Sequence, residues 1–367
     1  MSYITAIGTA NPSFRFSQSD LADFMVRAMQ TDLRTTRILQ TIFKASGIDY
    51  RHSVIADYGK KDSFTFFPNT PDIEPFPSTT QRMQLFRDHA LSLSINAVKN
   101  MVVTKPSFDY KFVTHLIVVC CTGMYAPGLD IELVEQLGLP TTVQRTSITF
   151  MGCYAAFNAL KVADAFCAKD ENAKVLIVCT ELCSLHFQKT SSEDNLLANA
   201  LFADGAAAVM VEGKSDRKLK LSLEAFYNDL APEGATDMAW SIGNIGFEMK
   251  LSAYVPEIIK KGIGQLTNRL LSTINKSIVD IRYFAIHPGG KKILSAIEEA
   301  LQIDASKNLP AYETLRKYGN MSSPTVLFVL REIFQNIQKE DHDQFILSFA
   351  FGPGLTLESM LLKIKTQ

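Results

Sequence analysis

No stretch of the chain approaches the roughly 18 consecutive apolar residues of a membrane span, and its start, Met1 to Pro12, lacks the basic segment and apolar core of a secretory leader. Both absences point to a cytoplasmic protein with no membrane span. There is no Cys-x-x-Cys pair: the six cysteines, Cys120, Cys121, Cys153, Cys167, Cys179 and Cys183, stand in or near apolar runs, so they read as reduced thiols and no metal site is expected. Gly-x-Gly-x-x-Gly is missing, which removes the usual fingerprint of a dinucleotide cofactor. Charge of one sign is not in excess either. With 37 Lys and Arg against 38 Asp and Glu, neither nucleic acid nor an anionic membrane surface is an expected partner. Tryptophan occurs once, at position 240.

Apolar residues are plentiful, 47% of 367, enough for one large or two fused cores. Short runs rich in β-branched residues at 113–121, 174–180, 205–212, 282–287, 344–350 and 355–364 predict strands covered on both faces. Helical spacing at 82–100, 154–169, 253–274, 291–302 and 324–339 alternates with them, which predicts an α/β fold with mixed central sheets. The polar stretch 212–218 is the expected boundary, giving an N-terminal half of residues 1–215 and a C-terminal half of 216–367. Residues 56–80, with Pro68, Pro71, Pro75 and Pro77, read as a surface excursion.

Three residues stand in settings that favour chemistry. Cys153 follows Gly152 and precedes good helix formers, so its thiol sits near a helix N-terminus, where partial positive charge favours thiolate and free N–H groups can hold an oxyanion. His287 ends an apolar strand just before Pro288-Gly289-Gly290, at the kind of strand end where α/β folds place their sites. Asn320 lies in Gly319-Asn320-Met321-Ser322-Ser323-Pro324, which is also ordinary helix-start chemistry. Each has a plain structural explanation by itself. Together they supply a nucleophile, an imidazole and an orienting amide. Papain-like proteases use the same residue types in the same chain order, but their Cys-Gly-Ser-Cys-Trp type of signature is absent. A catalytically inert subunit would be expected to lack at least one of the three.

The windows Met151-Gly152-Cys153, Ile286-His287-Pro288-Gly289-Gly290, Tyr318-Gly319-Asn320-Met321-Ser322-Ser323 and Phe351-Gly352-Pro353-Gly354-Leu355-Thr356 resemble, in order and spacing, the hallmark motifs of the chalcone synthase-like type III polyketide synthases. The resemblance runs from Ile7 to the C-terminal strand. Met151 stands where plant members usually have glutamine, and Ala350 where they have the first glycine of Gly-Phe-Gly-Pro-Gly. It implies a homodimer of the duplicated αβαβα thiolase fold that uses CoA thioesters and no metal or organic cofactor. It also implies that Cys153 carries the acyl starter while His287 and Asn320 hold the thioester oxygen of malonyl-CoA. Ketoacyl-ACP synthase III enzymes share the fold and the three residues, but typically have Gln-Ala-Asn after the histidine rather than His-Pro-Gly-Gly.

The same alignment implies pocket roles. Phe202 and Met249 fall at gatekeeper positions between tunnel and cavity, with a flexible thioether at the second. Trp240 replaces a small wall glycine of plant enzymes, Cys121 and His186 replace threonines, and Ala126 replaces the methionine that enters the partner's cavity; Ser322 joins the pocket from the asparagine motif. Space lost on one wall and gained on others suits the microbial branch that makes alkylpyrones or alkylresorcinols from fatty acyl starters. For CoA, the expected contacts are Leu251, Val255, Gly289 and Gly290, with Lys44, Lys291 and Lys292 as cations for its phosphates.

Overall fold

A computed structural model describes residues 1–105 and 108–366; Gln367, the last residue of the C-terminal half, lies outside the described residues. Along the first half run β1 (Tyr3–Ala10), β2 (Phe14–Ser17), α1 (Gln18–Met29), α2 (Leu33–Ala45), β3 (Tyr50–Ser53), α3 (Thr79–Val103), β4 (His115–Cys120), α4 (Leu129–Leu137), β5 (Gln144–Thr149), α5 (Ala155–Lys169), β6 (Lys174–Leu182), α6 (Glu193–Leu201) and β7 (Asp204–Glu212). The second half adds β8 (Lys220–Leu230), β9 (Met238–Gly243), β10 (Gly246–Leu251), α7 (Val255–Ser272), β11 (Ile281–Ile286), α8 (Lys291–Leu301), α9 (Leu309–Tyr318), α10 (Thr325–Asn336), β12 (Phe345–Gly352) and β13 (Thr356–Lys365).

Nine strands form one mixed sheet in the order β11-β12-β13-β8-β1-β7-β6-β4-β5. The order contains an internal duplication. In the first half β4 pairs parallel with β6, β6 antiparallel with β7, and β7 antiparallel with β1. In the second, β11 pairs parallel with β12, β12 antiparallel with β13, and β13 antiparallel with β8. Short antiparallel pairing of β1 with β8 joins the two sets. The polar link 213–219 therefore connects the halves without interrupting the sheet, and Glu212 itself is buried, hydrogen-bonded to Lys105.

Alternation along the central strands divides the core. Ile117 and Val119 of β4 point into one apolar cluster, and Leu116, Val118 and Cys120 into the other. This is why the strand reads as an unbroken apolar run. On one face α3 lies across β1, β6 and β7. On the other, α5 packs on β4, β6 and β7, and α10 on β1, β7 and β11. α5 and α10 occupy equivalent places in the duplication, each buried along most of its length. The turns that start these two helices and the residues that follow β4 and β11 line one cavity.

The excursion after β3 is not wholly at the surface. Asp57, buried, accepts hydrogen bonds from the backbone N–H groups of Thr65, Phe66 and Phe67. That satisfies chain that would otherwise require water, so Phe67 and Ile73 enter the core, where Phe67 packs with Phe24, Tyr58 and Phe187.

Candidate active site

Cys153 sits in a single 3₁₀ turn, Gly152–Tyr154, that leads into α5. Phe150 and Gly152 both have positive φ, 58° and 75°, and a Cβ at Gly152 would stand 2.6 Å from Pro353 Cδ. Only glycine fits where the Phe351-Gly352-Pro353 loop presses on the nucleophile turn. The expectation that the helix end favours thiolate is corrected by burial. Desolvation pushes the Cys153 thiol up to about 12, while a hydrogen bond from the Ser322 side chain pulls it back only in part.

Asn320 precedes α10 as Cys153 precedes α5, and its backbone is clamped to the end of α6. Its N–H donates to Leu201 O (2.9 Å) and its carbonyl accepts from Ala203 N–H (2.8 Å), so Phe202 and Asn320 face each other across a parallel bridge. Its side-chain orientation follows from its neighbours. Oδ1 accepts the Ser322 N–H at 2.8 Å and faces the Cys153 thiol at 3.9 Å, while Nδ2 donates to Gly289 O at 3.3 Å. One amide hydrogen is left for a ligand.

His287 continues β11, its N–H donating to Phe349 O at 2.8 Å. It stands in the duplication where Cys121 stands after β4. The ring is buried, neither nitrogen has a hydrogen-bond partner among the described residues, and desolvation lowers its pKa to about 3. A neutral imidazole with one free donor and one free acceptor is thus aimed into a cavity that it shares with Cys153 and Asn320.

The cavity also takes Cys121, Phe202, Trp240, Met249, Leu251, Gly289 and Ser322 from the predicted set. Trp240 is pinned, its indole N–H donating to Cys121 O at 2.9 Å. With Phe202 and Met249 it lines both this cavity and a second chamber that reaches Leu21, Met25 and Phe187. His186 lies in the second chamber only: Nε2–H donates to Thr122 O, Nδ1 accepts the Phe247 N–H, and the ring stacks on Phe247 at 4.3 Å. Ala126 is exposed in a surface depression beside Met124 and Tyr125, away from the cavity of its own chain. Leu251, Val255, Gly289, Gly290, Lys291 and Lys292 line a groove that meets the cavity at Leu251, Gly289 and Ile293. Lys44 lines a different cleft, with Gln40 and Asp49, although its neighbours Ile42 and Ala45 border the groove.

Sequence reasoning missed Glu181. This buried carboxyl accepts from Cys121 N–H (2.9 Å), Thr122 Oγ1 (2.7 Å) and Ser323 Oγ (2.7 Å), tying the end of β4 to the Asn320 turn. Burial raises its pKa to about 7 against those hydrogen bonds. A lone acid in the apolar run Lys174–Leu182 was the available signal. Among the described residues, no group of three or more His, Cys, Asp and Glu is arranged to hold a metal, and no helix is long and apolar enough to cross a membrane.

Comparison with known proteins agrees along the whole chain. Residues 1–215 match the N-terminal domain, and 222–365 the C-terminal domain, of the chalcone and stilbene synthases. The "alpha-pyrone synthesis polyketide synthase-like Pks18" of Mycobacterium tuberculosis is 30% identical over 98% of this chain and 91% of its own. The "probable polyketide synthase 1" of Dictyostelium discoideum is 30% identical over 99% of this chain, which spans only 11% of that larger protein. Among solved structures, the C-terminal type III polyketide synthase domain of Steely1, a type I/III hybrid from Dictyostelium, superposes with TM-score 0.90 at 29% identity, each chain covered to 99%. PKS-I of the brown alga Ectocarpus siliculosus superposes with TM-score 0.91 at 25% identity, over 99% of this chain and 98% of its own. The duplicated α/β sheet is the thiolase-like fold of these enzymes, and the chain belongs to the chalcone and stilbene synthase family, as a type III polyketide synthase.

Proposed function

We propose that the enzyme extends an acyl-CoA starter, held as a thioester on Cys153, with malonyl-CoA, and repeats the step before the chain cyclises. The observation that carries this reading is one buried cavity joining a thiol, a neutral imidazole with both nitrogens free and an amide with a spare N–H, opening to a groove flanked by Lys291 and Lys292. Imidazole and amide can both donate to one thioester oxygen, where negative charge develops as CO2 leaves. The enolate carbon then attacks the acyl group on Cys153. None of these steps calls on a metal or organic cofactor. Incubating the protein with free malonyl-CoA and a panel of acyl-CoAs tests the reading. Polyketide products of more than one extension are expected, whereas strict dependence on malonyl-carrier protein, with one condensation per turnover, would establish a ketoacyl synthase III-like enzyme.

The starter in this reading is a fatty acyl group and the product an alkylpyrone or alkylresorcinol. Trp240 closes the wall used for bulky rings, while the second chamber beyond it offers the apolar faces of Leu21, Met25 and Phe187. The relative named for alpha-pyrone synthesis supports the same class. Trp240→Gly is expected to shift products toward bulkier starters or more extensions if the void stays open, at a stability cost of up to roughly 3 to 5 kcal/mol that shrinks as the void collapses. Trp240→Phe removes the bond to Cys121 O and one of the two fused rings while keeping an aromatic face on the wall. A stable glycine variant with an unchanged product spectrum would remove Trp240 from the pocket's role.

A homodimer in the cytoplasm completes the proposal. β5 is an edge strand with most of its side chains exposed, beside the depression around Met124 and Ala126. Six unpaired cysteines suit a reducing compartment.

A further inference from the structure

Three of the six cysteines, Cys121, Cys153 and Cys183, line the same cavity, although the condensation uses one thiol. Cys120, one position earlier, belongs to the core on the opposite side of the sheet, and Cys167 and Cys179 lie within the core away from the cavity. Cys121 is the nearest in connection to the nucleophile. Its Sγ accepts the N–H of Gly152 at 3.0 Å, and from that nitrogen the backbone reaches the Cα of Cys153 within roughly 5 Å. Cys153 itself sits in the single 3₁₀ turn Gly152–Tyr154, so joining the two sulfurs calls on the Cys153 side chain and that one turn.

We infer that Cys121 is a resolving thiol for Cys153, converting peroxide damage at the nucleophile into a reversible disulfide. This rests on Cys153 being the nucleophile of the proposed reaction. The Cys153 sulfur, once its proton has passed to a base such as His287, attacks one oxygen of hydrogen peroxide. The O–O bond breaks, hydroxide leaves and takes up that proton as water, and Cys153 becomes a sulfenic acid. The Cys121 sulfur then attacks the Cys153 sulfur, the S–O bond breaks, and the departing hydroxide takes the Cys121 proton as a second water. Two thiols are oxidised and one peroxide is reduced. A dithiol reductant restores both, whereas a sulfenic acid without a neighbouring thiol proceeds to sulfinic acid.

The test compares wild type with Cys121→Ser, which keeps an acceptor for the Gly152 N–H, each scored against its own starting activity. After a limited peroxide pulse, wild type should lose activity together with a mass decrease of two hydrogens, yield a peptide joining Cys121 to Cys153, and recover most of its activity in dithiothreitol. Cys121→Ser should recover several-fold less and accumulate sulfinic acid at Cys153. The peptide map on wild type needs no variant to fold. A Cys153–Cys183 linkage, sulfinic acid as the sole product in wild type, or equal recovery in both proteins would overturn the assignment. If condensation itself survives Cys153→Ala, the functional reading fails instead, independently of where the disulfide forms.

Discussion

Cys153→Ala should abolish product formation from malonyl-CoA and any acyl-CoA, a loss of roughly 10⁴-fold or more by the standard of removed nucleophiles. The substitution deletes one buried sulfur from the edge of an existing cavity, so the fold should tolerate it. The acyl group needs a leaving thiol beside the two donors, and of the three cavity thiols among the described residues Cys153 is the one in contact with the Asn320 side chain. Iodoacetamide should accordingly label Cys153 before Cys121 and Cys183 and well before the three cysteines outside the cavity, because it lines the cavity and the Ser322 hydroxyl can hydrogen-bond its thiolate. Mass spectrometry of products and of tryptic peptides reads both outcomes. Condensation by the alanine variant, or first labelling at Cys121, would displace Cys153 from the central role.

The parts of the structure most legible in the sequence are those where one physical demand dominates. Strands buried on both faces must be apolar at most positions, so β4, β6, β7, β12 and β13 stood out as near-continuous apolar runs, and β11 by its buried end Phe284–Ile286. β8 did not: its second half is only part-buried and mixes Glu224, Asn228 and Asp229 with apolar residues, blurring the signal. The β9–β10 hairpin, which supplies Trp240 and Met249, forms a separate two-stranded sheet whose alternation is masked by Ser241 and Lys250 beside apolar neighbours. α1 had a readable start, Ser17 with Asp20 in a capping box, but its N-terminus adjoins β2 with no intervening loop to announce it.

The site divides in the same way. Cys153, His287 and Asn320 each sit beside glycines or a helix start, and the duplication explains why such signals converge: equivalent turns before α5 and α10 meet equivalent strand ends after β4 and β11. Protonation states were not legible, because they depend on burial contributed by residues distant in sequence. Helix-end geometry alone points to thiolate, yet desolvation pushes Cys153 up to about 12 and His287 down to about 3, so the resting pair is thiol and neutral imidazole. Proton transfer is then coupled to arrival of the starter rather than completed in advance. Glu181 escaped for a related reason, since its partners Thr122 and Ser323 come from opposite halves.

His287→Ala and Asn320→Ala are each expected to lower malonyl-CoA decarboxylation by about 10² to 10³-fold, the usual worth of one preorganised oxyanion donor. The prediction follows from which atoms are already committed. Asn320 Oδ1 is occupied by Ser322 N–H, so what the amide presents to a ligand is N–H; the neutral His287 ring has one N–H and no competing acceptor. Asn320→Asp is the sharper probe. It keeps the size but replaces the donor with an acceptor that repels the forming enolate, so it should lose at least as much as alanine. His287→Gln, which returns an N–H near the same place, should lose less than His287→Ala. In all of these variants Cys153 should still take up a starter, visible as an acyl adduct on the intact protein, with slower uptake where His287 no longer accepts the thiol proton. Because both donors act on one oxygen, the double variant should cost less than the product of the single losses. Decarboxylation that continues at the wild-type rate in both alanine variants would show that the enolate oxygen is held elsewhere, and acyl adducts absent from Asn320→Ala alone would move that residue's role to loading of Cys153.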